Sequence, residues 1–154
     1  MKKLNPLSDF FHYHILFFTG KIEFPREKIN QDIKMENRSE FKIFLHIVNK
    51  EKLRNSQRKV KLIVSFRVKK MSLFQRKLLP VLSTPFFAGC PGFISKMFLM
   101  NEQERTFRGI YEWASEEAVR SYISSYPNWF MTKNAVSGSL SYMMIDEFQH
   151  ELPL

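Results

Sequence analysis

The residues whose types suit binding chemistry are four aromatics, Tyr111, Trp113, Trp129 and Tyr142, and three short-range hydrogen-bonding side chains, Arg108, Asn128 and Ser141. Such a set could hold a flat apolar ligand between a sheet and its helices and orient it with a few polar groups. Large aromatics also simply fill cores, which is the competing account of each of them. Constellations for nucleophilic or metal chemistry are sparse. From Val60 onward the sole histidine is His150, so a Ser-His or Cys-His couple would have to draw on the C-terminal tail. His12 and His14 form an H-x-H pair without a surrounding ligand pattern, and no metal site is expected. Cys90, between Gly89 and Pro91, reads as a small apolar residue rather than a nucleophile. There is no P-loop and no dinucleotide-binding glycine fingerprint, so no cofactor is expected on motif grounds.

The elements that must position these residues begin at Val60. Val60, Leu62, Val64, Phe66 and Val68 alternate with Lys61, Ile63, Ser65, Arg67 and Lys69, which predicts a strand with one wholly apolar face. Ser72 is the expected cap of a helix in which Leu73, Phe74, Leu78, Val81 and Leu82 form the apolar stripe, with Pro80 ending or kinking it. Pro91-Gly92 then opens a long hairpin. Its strands are Phe93–Met100, where Lys96 shares a face with Ile94, Phe98 and Met100, and Arg105–Trp113, joined by the polar turn Asn101–Glu104. Ser115 caps a second helix with Glu116 and Glu117 in its first turn, and residues 139–145 alternate as a last strand. The order strand-helix-strand-strand-helix-strand predicts an α+β, ferredoxin-like βαββαβ domain over 60–148 with an antiparallel sheet. Residues 1–59 show no sustained period and read as a basic, poorly ordered, irregular extension, in which Phe41–Val48 forms an extra strand or a helix; 149–154 form a C-terminal tail.

Pro91-Gly92-Phe93, a strand with Lys96 near its start, a polar turn, and then Gly109-Ile110-Tyr111-Glu112-Trp113 followed by Ser115-Glu116-Glu117-Ala118 resemble the small YdhR-like monooxygenases of the dimeric α/β-barrel superfamily. The resemblance covers roughly residues 60–148. Arg108 stands where the family pattern carries the first of two glycines. What the resemblance implies is a homodimer joined sheet to sheet and a cofactor-independent monooxygenase. The substrate would be a small aromatic or polyketide-like compound whose own enolate or phenolate supplies electrons to molecular oxygen. Arg108, Tyr111, Asn128 and Tyr142 are then candidates to stabilise the anion, with Trp113 and Trp129 completing the substrate-binding set. Haem-degrading relatives fit less well, because the domain lacks a histidine placed to ligate iron. A non-catalytic ligand-binding or sensor protein of the same fold is the alternative.

Composition agrees with one globular domain: 44% hydrophobic and 25% charged residues in 154, with sixteen Phe and five Gly. A bulky apolar content of that size needs a core or a partner to cover it, and both faces of the predicted sheet are partly apolar, which predicts a second subunit against one of them. Net charge is +9, but residues 1–59 hold thirteen basic and seven acidic side chains against eleven and eight in 60–154. The positive charge therefore sits mostly outside the domain, and the aromatic sequence pattern of RNA-binding domains is missing, so a single-stranded nucleic-acid module is disfavoured. A single cysteine precludes an intrachain disulfide and suits a reducing cytoplasm. The apolar run Phe10–Phe18 is interrupted by two histidines, lacks a small-residue cleavage site, and is too short to span a bilayer, so neither a signal peptide nor membrane association is expected.

Overall fold

In the computed structural model, which describes residues 5–35, 38–70 and 72–146, the N-terminal third carries regular structure where the sequence predicts an irregular extension. It forms α1 (Pro6–Phe18), β1 (Ile22–Glu23), β2 (Asp32–Lys34), β3 (Glu40–Asn49) and α2 (Lys50–Asn55). α1 starts where the Asn5 side chain accepts from the amides of Leu7 and Ser8 and Pro6 occupies the first turn. Of the two options for Phe41–Val48, the strand is the one realised. Its apolar residues show no clean alternation because β3 is an interior strand covered on both faces.

The rest of the chain gives β4 (Val60–Arg67), α3 (Leu73–Ala88), β5 (Phe93–Asn101), β6 (Thr106–Trp113), α4 (Glu116–Ile123), α5 (Tyr126–Thr132) and β7 (Ser141–Asp146). β5, β6, β4 and β7 lie side by side in that order, all antiparallel, with the helices between successive strands, which is the α+β ferredoxin-like arrangement. β3 extends this sheet beyond β5, and β1 and β2 both pair with the outer edge of β3. At the β7 edge, Arg58, just before β4, donates to Asp146 at the end of the neighbouring β7. His150 and the tail at 149–154 lie outside the described residues. No described helix is long and apolar enough to cross a membrane.

The core lies on the helix side of the sheet, where Val60, Leu62, Val64, Phe66, Phe98, Tyr111 and Trp113 meet Phe87, Val119 and Tyr122 of the helices and Tyr13 and Leu16 of α1. Of the two options at Pro80, ending the helix is not the one realised: α3 runs through Pro80 and Pro85 to Ala88. It differs from the expected helix in burying the opposite face. Pro80, Ser83, Thr84, Phe87 and Ala88 point inward, whereas Phe74 (72% exposed), Leu78, Val81 and Leu82 point out. Ser83 and Thr84 can be buried because both hydroxyls donate to the Pro80 carbonyl at 2.9 Å, which satisfies them within the helix. The cap expected at Ser72 is present, and the structure completes it as a capping box: Ser72 and Gln75 exchange backbone-to-side-chain bonds of 3.0 and 3.1 Å.

The other sheet face, for which the sequence predicts a second subunit as cover, is partly covered by the chain itself. Ile29, Ile33 and Met35 pack over Phe41, Ile43, Leu99, Met97 and Ile110. Towards β7 the face is more open, with Ile63 and Ile145 half-buried and Met143 exposed.

Candidate functional site

Lys96 occupies the middle of the helix-facing side of β5, beside Tyr111 on β6 and Ile47 on β3. Its side chain is 0% exposed. The ammonium position lies 3.7 Å from the ring centre of Phe98 and 4.2 Å from those of Phe87 and Tyr111, and Nζ has no hydrogen-bond partner among the described residues. Burial pushes its pKa well below the usual lysine range. The space for this arrangement comes from Gly109, where a Cβ would sit 2.9 Å from Tyr111 Cε2 and 3.2 Å from Lys96 Cε.

Around the amine is a layer of aromatics with polar tips. Tyr111 stacks on Trp113 at 6.1 Å, and both rings touch Tyr122 at 5.0 and 5.1 Å. The hydroxyls of Tyr111 and Tyr122 share a 2.7 Å hydrogen bond, and burial pushes both phenols far above the ordinary tyrosine range. At the edge of the layer Asn128 Nδ2 donates to the Tyr142 hydroxyl at 2.7 Å and to the Ile123 carbonyl at 2.8 Å. Trp113 Nε1 and Asn128 Oδ1 are, like Lys96 Nζ, buried without a partner among the described residues. Since nearly all buried polar groups in folded proteins are paired, three orphaned atoms in one layer call for an explanation.

α1 closes the layer from outside. Asp9 is buried against Cys90, whose thiol donates to the Phe86 carbonyl at 3.2 Å and lies 3.7 Å from Asp9 Oδ2; His12 Nδ1 lies 2.8 Å from the Gly89 carbonyl oxygen. Desolvation raises the pKa of Asp9, opposed by the thiol bond and by His12. Burial, with Asp9 beside it, pushes the Cys90 thiol far up, so it stays protonated and is a poor nucleophile.

Of the residues singled out in the sequence, Tyr111, Trp113, Asn128 and Tyr142 are brought together on the helix side. Trp129 points outward, 57% exposed. Arg108 lies on the opposite sheet face, where Nε donates to Ser65 Oγ at 2.8 Å and the guanidinium covers Phe41 at 4.7 Å. Arg108→Ala is accordingly expected to cost about 1 kcal/mol of stability in denaturant unfolding and to leave ligand affinity at the helix-side layer unchanged. Lys96 and Tyr122 were not among the predicted site residues. The signal for Lys96 was legible as the one charge on an otherwise apolar strand face.

No family model matches the chain, and no curated protein matches it. Solved structures match its fold. A ferredoxin-fold protein from Listeria monocytogenes, described as uncharacterized and related to antibiotic biosynthesis monooxygenases, aligns at TM-score 0.58 and 12% identity, over 75% of this chain and 68% of that one. A major regulator of staphylococcal pathogenesis aligns at 0.53 and 15%, over 87% and 89%. A protein of unknown function from Nitrosomonas europaea aligns at 0.51 and 14%, over 65% and 99%. At these identities the likeness is one of fold.

Proposed function

We propose that the layer between sheet and helices is a ligand site and that the protein is a cofactor-independent monooxygenase of a small aromatic or polyketide-like compound. The observation that carries this reading is the set of three orphaned buried atoms, Lys96 Nζ, Trp113 Nε1 and Asn128 Oδ1. A flat ligand bearing phenol or enol oxygens would supply acceptors to the first two and a donor to the third, while its ring would lie among Tyr111, Trp113 and Tyr122. Compounds of this class with acidic enols ionise readily, and one that enters as the neutral enol and passes its proton to Lys96 Nζ becomes an anion beside its own counter-ion, with water excluded. The anion supplies electrons to oxygen: a ring CH2 becomes C=O, one oxygen atom is retained, and the other leaves as water with the two hydrogens. That stoichiometry closes without an added reductant.

Oxygen uptake with a panel of hydroxylated polycyclic compounds tests the reading. Uptake above background is expected, falling about fivefold to tenfold in Asn128→Ala, the scale for losing one hydrogen bond from a ligand hydroxyl to Asn128 Oδ1. Background uptake across the panel would contradict the catalytic reading. Saturable binding without uptake would instead support the non-catalytic ligand-binding alternative.

The more open strip of the other sheet face, with Ile63, Ile145 and Met143, fits a second copy of the chain. Light scattering at micromolar concentration should then give the mass of two chains; the mass of one would remove the dimer.

A further inference from the structure

We propose that Lys96 is a covalent capture site for small uncharged aldehydes and ketones, which it binds as Schiff bases. The inference goes beyond the oxygen chemistry and does not depend on it. Its ground is the environment of one atom. Nζ is wholly buried, faces three rings at 3.7–4.2 Å, and has neither a carboxylate nor any other hydrogen-bond acceptor among the described residues. An ammonium there would lack a counter-ion, and an uncompensated buried charge costs several kcal/mol. Methionine would fill the same space without that cost. The amine is therefore held uncharged, in agreement with its lowered pKa, and an uncharged lysine amine in an apolar surround is the activated form of this nucleophile.

The product, like the uncharged amine, suits an apolar surround. The Nζ lone pair attacks the carbonyl carbon, a C–N bond forms, and the carbonyl oxygen takes a proton to give a carbinolamine. Loss of that oxygen as water, together with the remaining amine proton, leaves an uncharged imine, and hydrolysis reverses the sequence; no oxidant or reductant is consumed. The hydrogen-bonded hydroxyls of Tyr111 and Tyr122 provide exchangeable protons beside the reaction. The imine nitrogen, uncharged like the amine, then sits among the faces of Phe87, Phe98 and Tyr111 without needing a counter-ion. Preference for uncharged carbonyls follows because none of the groups contacting Nζ is charged, and a carboxylate brought into this layer would itself be unpaired.

The test is reductive trapping with propanal and sodium cyanoborohydride at pH 6.5 under nitrogen, followed by peptide mapping of the wild-type chain. Removing oxygen separates this result from the monooxygenase reading. Surface lysines are almost fully protonated at that pH, so Lys96 is expected to carry the propyl group in more than about tenfold excess over any of them. Lys96→Met should abolish that label. A label confined to the N-terminal amine and surface lysines would overturn the proposal, and because the mapping is done on the wild-type chain, the outcome stands whether or not the variant folds.

Discussion

Replacing Lys96 with methionine is expected to stabilise the protein at neutral pH, by about 3 kcal/mol. A lysine buried without a partner is destabilising in either form, because the uncharged amine must give up a proton that the unfolded chain holds and the charged one would lack a counter-ion, and methionine removes that cost. The sign of the pH dependence follows from proton binding. The folded state releases the Lys96 proton at a pH well below that of the unfolded chain. Between the two, the unfolded state binds more protons, so wild-type stability rises with pH at about 1.4 kcal/mol per unit. The advantage of Lys96→Met therefore shrinks as pH rises through neutrality towards the unfolded lysine pKa. Denaturant unfolding of both proteins at several pH values checks this. A difference independent of pH would mean that the amine keeps its proton through a partner.

Gly89→Ala is expected to be the most disruptive single substitution at the α1 docking surface. A Cβ at residue 89 would lie 1.8 Å from the backbone oxygen of Asp9, 2.7 Å from its carbonyl carbon and 3.0 Å from the Tyr13 amide nitrogen. These are backbone atoms, so no side chain can swing away and α1 must move as a body. Moving it breaks the His12–Gly89 and Asp9–Cys90 contacts and uncovers Tyr13 and Leu16, at a cost of about 3 kcal/mol or more. Limited proteolysis should then cut within residues 6–20, while the ferredoxin-like sheet retains its circular dichroism. Wild-type protease resistance in the variant would show that α1 does not dock through this contact.

These two residues also mark where the sequence was readable. The alternation in β4 and β6, the serine caps of α3 and α4, and the hairpin turn are local signals, and the structure carries each of them. Gly92 combines two such demands, with φ at +82° and Ala118 Cβ 2.8 Å from where its own Cβ would be. The buried face of α3 was not readable from periodicity, because the inward residues Ser83 and Thr84 are polar but satisfied within the helix, and the outward ones are apolar. α1 escaped for the same reason: Leu7, Phe11, Ile15 and Phe18 are exposed, so its apolar residues encircle the helix and leave no hydrophobic period. Its docking depends on a glycine 80 residues from Asp9, a relation that a local pattern cannot express. In the site, Tyr111 and Trp113 were legible from alternation in β6 and Tyr142 from that in β7, but the partnership of Asn128 with Tyr142 is a long-range contact. Arg108 alternates to the other face, as the same period dictates.

The central claim, that the helix-side layer receives the ligand, can be read from its own chromophore. The chain has two tryptophans, Trp113 wholly buried in the layer and Trp129 exposed. In Trp129→Phe, Trp113 is the sole reporter. Titration of that variant with hydroxylated polycyclic compounds should quench its emission saturably for at least one of them, and the quenching should weaken when Asn128 is also replaced by alanine. Unchanged Trp113 emission with a ligand that quenches only through Trp129 would place binding outside the layer and contradict the account.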